Sequence, residues 1–183
     1  NAQLAACNVG ARRLQELADV YGADLLMAIF DELLDRSEIM TREALRRIPQ
    51  GTYRYVDAMD NDGIELDQRI RVEVAVTVRD GTIEFDLAGT SPQVKGPMNC
   101  VPSGSQAAAY YAVRVLTDPT IPTNGGCFRP VSLKLPQGSL ANPVEPAPVN
   151  ARTSTIKRIA TSMVSALAEV LPDRIAAPAA GTL

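Results

Sequence analysis

The chain has 183 residues, of which 46% are hydrophobic and 21% are charged, and its net charge is −3. This is the composition of a folded globular protein, and the slight acidic excess argues against a basic nucleic-acid-binding surface or a polybasic membrane anchor. No apolar run reaches the roughly 18 residues that a membrane-spanning helix needs, and no signal peptide is expected at the start. We therefore expect a cytoplasmic protein that binds neither nucleic acid nor membrane.

The absence of histidine removes the commonest general base and the commonest metal ligand from this chain. A Ser-His-Asp triad, a Cys-His dyad and a zinc site with histidine ligands are excluded. Three cysteines stand far apart in the sequence, Cys7, Cys100 and Cys127. We interpret them as reduced thiols of a cytosolic protein. A metal site built from all three, or a single catalytic thiol, is the alternative.

The first elements in chain order are helical, over residues 3–48. Apolar residues recur at helical spacing in two sets, and Gly22 between the sets predicts a break between two packed helices. The sets are Leu14, Leu17, Ala18 and Tyr21, followed by Leu26, Ile29, Phe30 and Leu33. A helical pair is therefore expected over residues 1–48.

Residues 51–87 show the period of two that is typical of antiparallel strands. Ile70, Val72, Val74, Val76 and Val78 alternate with mostly polar residues, and Asp80-Gly81 predicts a two-residue hairpin turn. Ile83, Phe85 and Leu87 line one face of the returning strand, and Asp86 is expected on the opposite, polar face. An earlier strand is predicted from Thr52 to Met59.

Residues 88–150 are rich in loops, and residues 151–171 predict a final helix. Within the loop-rich stretch we expect a helix near residues 104–117, with Ser103 as its N-cap and Ala108, Tyr111, Ala112 and Val115 on its apolar face. A short strand is predicted from Val131 to Leu135. The final helix has a stripe of Ile156, Ile159, Ala160, Met163 and Leu167, and Pro172 ends it. The apolar tail, residues 176–183, precedes an expected further element.

Four segments carry candidate binding residues, and each also has an ordinary structural explanation. The turn after Asp86 places Thr90 and Ser91 where backbone N–H groups and hydroxyls can bind an anion, although a self-capped turn has the same sequence. The loop around Asn99 leads to a helix N-terminus, which attracts anions; a capped helix entry is the alternative.

The third segment, residues 119–130, contains Asn124 and Arg129, whose guanidinium can hold a carboxylate or phosphate or can simply pair with a surface acid. The fourth begins the last helix at Arg152, where basic groups and free N–H groups coincide; capping by Thr153 or Asn150 is the alternative. Asp60-Asn61-Asp62-Gly63 resembles the start of a calcium loop, but Arg71 stands at the twelfth position, so we expect a solvated turn and no metal site.

Taken together and in order, these segments resemble the hydantoinase B/5-oxoprolinase family, which includes N-methylhydantoinase B subunits and acetone carboxylase alpha subunits. The resemblance runs through nearly the whole chain and is carried by Ala2-Gln3, Gly10, Arg12-Arg13-Leu14, Gly51-Thr52-Tyr53, Asp60-Asn61-Asp62-Gly63, Asp86-Leu87-Ala88-Gly89-Thr90-Ser91-Pro92-Gln93, Gly96-Pro97-Met98-Asn99, Ile121-Pro122-Thr123-Asn124-Gly125-Gly126, Arg129-Pro130, Pro136-Gln137-Gly138-Ser139 and Pro148-Val149-Asn150-Ala151-Arg152. Each motif is weak alone, whereas the ordered set is specific.

The resemblance implies ATP-dependent chemistry at an amide or ketone carbonyl. In that family a hydantoinase A-type partner subunit or domain binds ATP and phosphorylates the carbonyl oxygen, and the B-type part is associated with hydrolysis of a cyclic amide such as a hydantoin or 5-oxoproline, or with ketone carboxylation. The divalent metal that some relatives carry would have its ligands upstream of this chain. The resemblance thus makes this chain an internal segment, inactive by itself.

The sequence leaves two hypotheses about this segment. In the first, it lines the site: Asp86 is the one carboxylate to test as a catalytic base, and Thr90, Ser91, Asn99, Asn124, Arg129 and Arg152 bind or orient the substrate. In the second, it is a scaffold and interface between subunits, without catalytic residues, and the helical pair is the docking surface. The predicted fold class is α+β, with a helical pair, an antiparallel hairpin or sheet, two further helices and long Gly/Pro-rich loops.

Overall fold

The computed structural model describes residues 1–175 and residue 177, and it confirms the α+β class. The predicted tail at residues 176–183 therefore lies outside the described residues, apart from residue 177. The longer elements in chain order are helices α1 (Ala2–Tyr21) and α2 (Ala23–Arg46), strands β1 (Gly51–Met59), β2 (Ile70–Arg79) and β3 (Thr82–Asp86), helix α3 (Pro102–Leu116), strand β4 (Val131–Lys134) and helix α4 (Arg152–Ser165).

The four strands form one sheet in the order β1-β2-β3-β4. The first two pairings are antiparallel, as the alternating sequence predicted, and Asp80 and Gly81 make the tight turn between β2 and β3 with φ of 43° and 72°. The strand predicted at Thr52 to Met59 is confirmed as β1. β4 pairs with β3 in parallel, because the chain crosses over through α3 before it returns to the sheet.

The core lies between one face of this sheet and helices α3 and α4. The inward residues of β2 and β3 are buried, and the stripe predicted for the last helix is confirmed at Ile159, Ala160, Met163 and Leu167. The helix ends at Ser165 and not at residue 171, because the following residues form tighter turns such as Ala168 N–H to the Ser165 carbonyl. Leu167 still reaches the core from these turns.

Two predictions about α3 are wrong. The helix begins at Pro102, so Val101 is its N-cap residue and Ser103 lies within the first turn without capping it. Tyr111 is 60% exposed, because the buried face instead runs through Ser105, Ala108, Ala109, Ala112, Val113 and Leu116. This face is made mostly of small residues, which suits the close packing of α3 against α4 and the sheet.

The helical pair is confirmed as two helices broken at Gly22, but its packing differs from the prediction. No residue of α1 is buried, and the buried residues of α2 begin only at Ser37. Leu14 and Tyr21 of the first stripe are 51% and 56% exposed, and Leu33 of the second is 47% exposed. The two stripes therefore do not cover one another, and α1 with the first half of α2 forms an arm that carries exposed apolar residues.

Candidate functional site

The Gly-Thr-Ser turn continues the sheet after β3 has ended. The Thr90 hydroxyl donates to the carbonyl of Glu73 at 3.0 Å and accepts from its N–H at 3.2 Å. Ser91 bonds Arg71 on the same strand twice, through its own N–H and through its hydroxyl oxygen. Both hydroxyls thus take the places that a neighbouring strand would fill along β2.

Asp86 lies at the end of β3 on the polar face of the sheet, as predicted. One carboxylate oxygen accepts the N–H of Ala88 at 2.8 Å, which braces the turn that follows. The other lies 3.9 Å from the Lys134 ammonium. Lys134 is also paired with Glu84, and these two carboxylates raise the pKa of Lys134, with Glu84 the stronger influence.

Asn99 is fully buried, and its side chain joins two stretches of backbone. Its amide oxygen accepts the N–H of Val94, and its amide nitrogen donates to the carbonyls of Val94, Gly96 and Pro148, at 2.8 to 3.2 Å. This arrangement uses both amide donors and the carbonyl oxygen, so Asn99 holds the 94–99 loop against the segment that leads into α4.

Asp62 takes part in this assembly, although its sequence context predicted a solvated turn. The residue is 4% exposed, and its carboxylate accepts the N–H groups of Glu65, Ile64 and Gly96 at 2.7 to 2.8 Å. These hydrogen bonds, with the one from Glu65 the strongest, hold the pKa of Asp62 below its usual range. The Asx-type turn was readable from the sequence, but the bond to Gly96 joins residues 34 positions apart and was not.

A cleft of about 220 Å³ lies beside these loops. It is lined by Asp62, Glu65, Arg69, Ser91, Gln93 and Lys95, among others. Glu65 and Lys95 form an ion pair there, which raises the pKa of Lys95. Gln93 is held in place by two hydrogen bonds to the backbone of Val144.

The start of α4 packs on the Asn99 loop. The Thr155 hydroxyl donates to the Met98 carbonyl, and the Ala151 N–H donates to the Pro97 carbonyl at 2.9 Å. Ala151 is the N-cap residue and no side chain caps the helix, so the predicted capping by Thr153 or Asn150 is wrong. Arg152 is exposed and makes one long hydrogen bond, 3.4 Å, to the Val149 carbonyl.

The third predicted segment lies elsewhere, against α2. Asn124 donates to the Ser37 hydroxyl at 2.8 Å and accepts from Gly126, while Arg129 pairs with Asp35 and Glu38 at 2.6 and 3.1 Å. Arg42 and then Arg129 lower the pKa of Glu38. Gly126 is required here, because a Cβ at this position would lie 1.9 Å from the Leu34 carbonyl oxygen.

The structure therefore sorts the predicted site residues into two groups. Hydrogen bonds join the Asn99 loop to the start of α4, and Leu140 links this loop to the turn of Thr90 and Ser91, because its backbone bonds both Ser91 and Cys100. The segment with Asn124 and Arg129 anchors α2 instead. Arg129 and Arg152 are both exposed, but only Arg129 is paired with acids among the described residues, so the guanidinium of Arg152 is the one available to an anionic ligand.

The cysteines do not form a common site. Cys7 is exposed on α1, whereas Cys100 and Cys127 are buried, and all three are free thiols. Burial raises the pKa of the Cys100 thiol, which makes it a poor nucleophile.

Among the described residues no cluster of three or more acidic, cysteine or histidine side chains can hold a metal ion. No helix in that part of the chain is long and apolar enough to cross a membrane.

Comparison with known proteins gives a consistent family relationship. A family model described as hydantoinase B/oxoprolinase matches residues 1–183. A Pseudomonas sp. (strain NS671) protein, provisionally named as the B component of a D-/L-hydantoinase, is 38% identical over 96% of this chain and 31% of its own length. The beta chain of the Pseudomonas jessenii caprolactamase is 34% identical over 97% of this chain and 30% of its own length.

Solved structures agree with the sequence relatives. The ATP-dependent caprolactamase from Pseudomonas jessenii superposes with a TM-score of 0.87 at 33% identity, over 95% of this chain and 30% of that one. A nucleotide-free acetone carboxylase superposes with a TM-score of 0.81 at 17% identity, over 93% of this chain and 25% of that one, and so shares the fold. The chain spans less than a third of the lengths of these bacterial relatives and structures.

Proposed function

The chain belongs to the hydantoinase B/oxoprolinase family, and we propose that it is a segment of the B-type component of a cytoplasmic ATP-dependent enzyme that hydrolyses a cyclic amide. A hydantoinase A-type partner supplies ATP-dependent phosphorylation of the carbonyl oxygen. The observation that carries this proposal is the whole-chain family match, together with the fold shared with an ATP-dependent caprolactamase at 33% identity.

This reaction requires the segment to bind the phosphorylated substrate and shield it from water, more than to transfer protons. A phosphorylated carbonyl is a better electrophile with a better leaving group, and its site must hold anionic oxygen atoms and exclude stray water. Arg152 presents an exposed guanidinium at the N-terminus of α4, where the positive end of the helix dipole also attracts anions. We assign Arg152 to contact with the substrate or its phosphorylated intermediate.

The other predicted residues then have positioning roles. The loops around the cleft beside β2 are held by hydrogen bonds from Thr90, Ser91 and Asn99. The loop that packs on α2 is held by Asn124 and Arg129. Asp86 braces the turn before Thr90 and is the carboxylate to test as a base. Ligands for a divalent metal, if the complete protein uses one, belong to regions outside this chain.

The experiment measures turnover by the full-length protein co-expressed with its A-type partner, with 5-oxoproline, N-methylhydantoin and caprolactam assayed in parallel with ATP. Arg152→Ala should lower kcat/KM about 10- to 100-fold, the value of one charged hydrogen bond. Lys157→Ala, an exposed cation on the same helix, should leave it unchanged. Asp86→Asn keeps an acceptor for Ala88 N–H, so it abolishes turnover only if Asp86 is a base.

A scaffold and interface segment without catalytic residues is the alternative, and the many hydroxyl and amide groups engaged by backbone favour it. It requires that Arg152→Ala and Asp86→Asn leave turnover intact while the complex assembles. ATP-dependent turnover of acetone with bicarbonate, in place of the cyclic amides, would identify an acetone-carboxylase-type ligase; the shared fold with acetone carboxylase supports including that assay.

A further inference from the structure

The two carboxylate oxygens of Asp62 bond different parts of the chain. One oxygen accepts the N–H groups of Ile64 and Glu65 within the same turn, and the other accepts the N–H of Gly96 at 2.8 Å. The first oxygen shapes the turn, whereas the second reaches the loop over residues 94–99. A turn of this kind needs only the first oxygen, so the bond to Gly96 calls for an explanation of its own.

Gly96 allows the Asp62 turn and the 94–99 loop to touch. A Cβ at position 96 would lie 1.9 Å from the carbonyl oxygen of Asp62 and 2.8 Å from its Cβ, so only glycine fits against this backbone. Asp62 is 4% exposed and Gly96 is buried. The hydrogen bond between them is therefore shielded from water, which strengthens it, and it fixes one side of the loop.

The other side of the same loop holds the first turn of α4. The Pro97 carbonyl accepts the N–H of Ala151, the residue before Arg152, at 2.9 Å. The Met98 carbonyl accepts a hydrogen bond from the hydroxyl of Thr155, which is fully buried and lies three residues after Arg152. Arg152 thus lies between two contacts that its helix makes with consecutive carbonyls of the loop.

The loop between these two sides is stiffened by Asn99. Its side chain bonds Val94 and Gly96 within the loop and Pro148 before α4. Because these bonds tie the two ends of the loop together, a shift of Gly96 moves the loop as a unit. The two carbonyls that hold α4 move with it.

The middle of α4 is held independently of this loop. Arg158 pairs with Asp57 of β1 at 2.8 Å, and Ile159 is buried in the core. Loss of the loop contacts would therefore loosen the first turn of α4 and leave the rest of the helix in place. Among the described residues the Arg152 guanidinium makes one long hydrogen bond, 3.4 Å, to the Val149 carbonyl. The backbone of that first turn thus sets where Arg152 lies.

We propose that Asp62 is a positioning residue, which holds the first turn of α4 through Gly96 and the 94–99 loop and so fixes Arg152 where it meets the substrate or its phosphorylated intermediate. The inference rests on the proposed function for what Arg152 contacts, whereas the hold on α4 depends only on the hydrogen bonds described above. Asp62 itself touches no substrate. Its effect on turnover passes through Arg152, which distinguishes it from a carboxylate that only stabilises the fold.

Hydrogen exchange in the full-length protein with its A-type partner tests the hold on α4. Asp62→Asn nearly keeps the shape but offers one acceptor oxygen in place of two, so the bond to Gly96 is lost. The Ala151 amide should then exchange about tenfold faster relative to the Val74 amide at the centre of β2, the effect of one charged hydrogen bond. Asp60→Asn, the same change at an exposed neighbouring carboxylate, should leave this ratio unchanged. An unchanged ratio in Asp62→Asn would overturn the proposal.

A double-mutant cycle on turnover tests the dependence on Arg152. Asp62→Asn should lower kcat/KM about tenfold when Arg152 is present, and should change it less than about twofold in the Arg152→Ala background. An equal loss in both backgrounds is the result of a purely structural role and would overturn the proposal. If Arg152→Ala itself leaves turnover unchanged, the substrate contact assigned under the proposed function fails, while faster exchange at Ala151 would still support the hold of Asp62 on α4.

Discussion

Asn99 offers the sharpest test of the loop assembly. The change Asn99→Ala leaves four backbone partners of a fully buried side chain, at Val94, Gly96 and Pro148, without their hydrogen bonds. At about 1 kcal/mol for each bond the loss is about 4 kcal/mol, and water that enters the emptied site recovers part of it. We expect the free energy of unfolding to fall by about 3 kcal/mol, with a drop in Tm of about 6 to 12 °C.

The measurement is urea unfolding followed by circular dichroism, with Asn61→Ala as the matched control. Asn61 is half-buried and makes one local bond to the N–H of Gly63 at 3.0 Å, so its loss should cost under about 1 kcal/mol. Asn99→Asp nearly preserves the shape but faces an acceptor toward the carbonyls, and should destabilise the protein at least as much as alanine. If Asn99→Ala lowers the free energy of unfolding by less than about 1 kcal/mol, or if both asparagine variants lower it equally, Asn99 does not hold the two segments together.

Three further predictions concern other loops. Gly126→Ala should loosen the loop from α2 and lower the free energy of unfolding by about 2 kcal/mol or more, since the new methyl meets the Leu34 backbone; protease cleavage near residue 126 should accelerate. Thr90→Val should cost about 1 to 2 kcal/mol in urea unfolding because the backbone of Glu73 loses its partner, whereas Thr90→Ser, which keeps the hydroxyl, should cost less. The lowered pKa of Asp62 stabilises the fold above the unfolded-state pKa of about 4, and this stabilisation is lost as pH falls through the lower folded-state value. Urea titrations from about pH 7 to about pH 3 should show a smaller pH dependence for Asp62→Asn, and an unchanged dependence would contradict the assignment.

Much of the site was visible in the sequence as segments, but not as contacts. The Gly-Thr-Ser turn and the Asn99 loop were recognised because short polar motifs with glycine and proline mark irregular backbone. Their arrangement could not be predicted, because Asn99 bonds Pro148 and Asp62 bonds Gly96 across long stretches of chain. For Arg129 the alternative of an ion pair with a surface acid is confirmed, but the acids could not be identified, because Asp35 and Glu38 lie more than 90 residues away, on α2.

The local elements, the family and the absence of histidine chemistry follow from the sequence alone. Period-two alternation in β2 and the Asp80-Gly81 turn specify a hairpin through neighbouring residues alone, and the absence of histidine is a fact of composition. Three features are visible only in the folded chain: β4 joins β3 in parallel, Thr90 and Ser91 complete the edge of β2, and no residue of α1 is buried. These outcomes depend on which distant surfaces meet, and burial of apolar area favours contact without naming the partner.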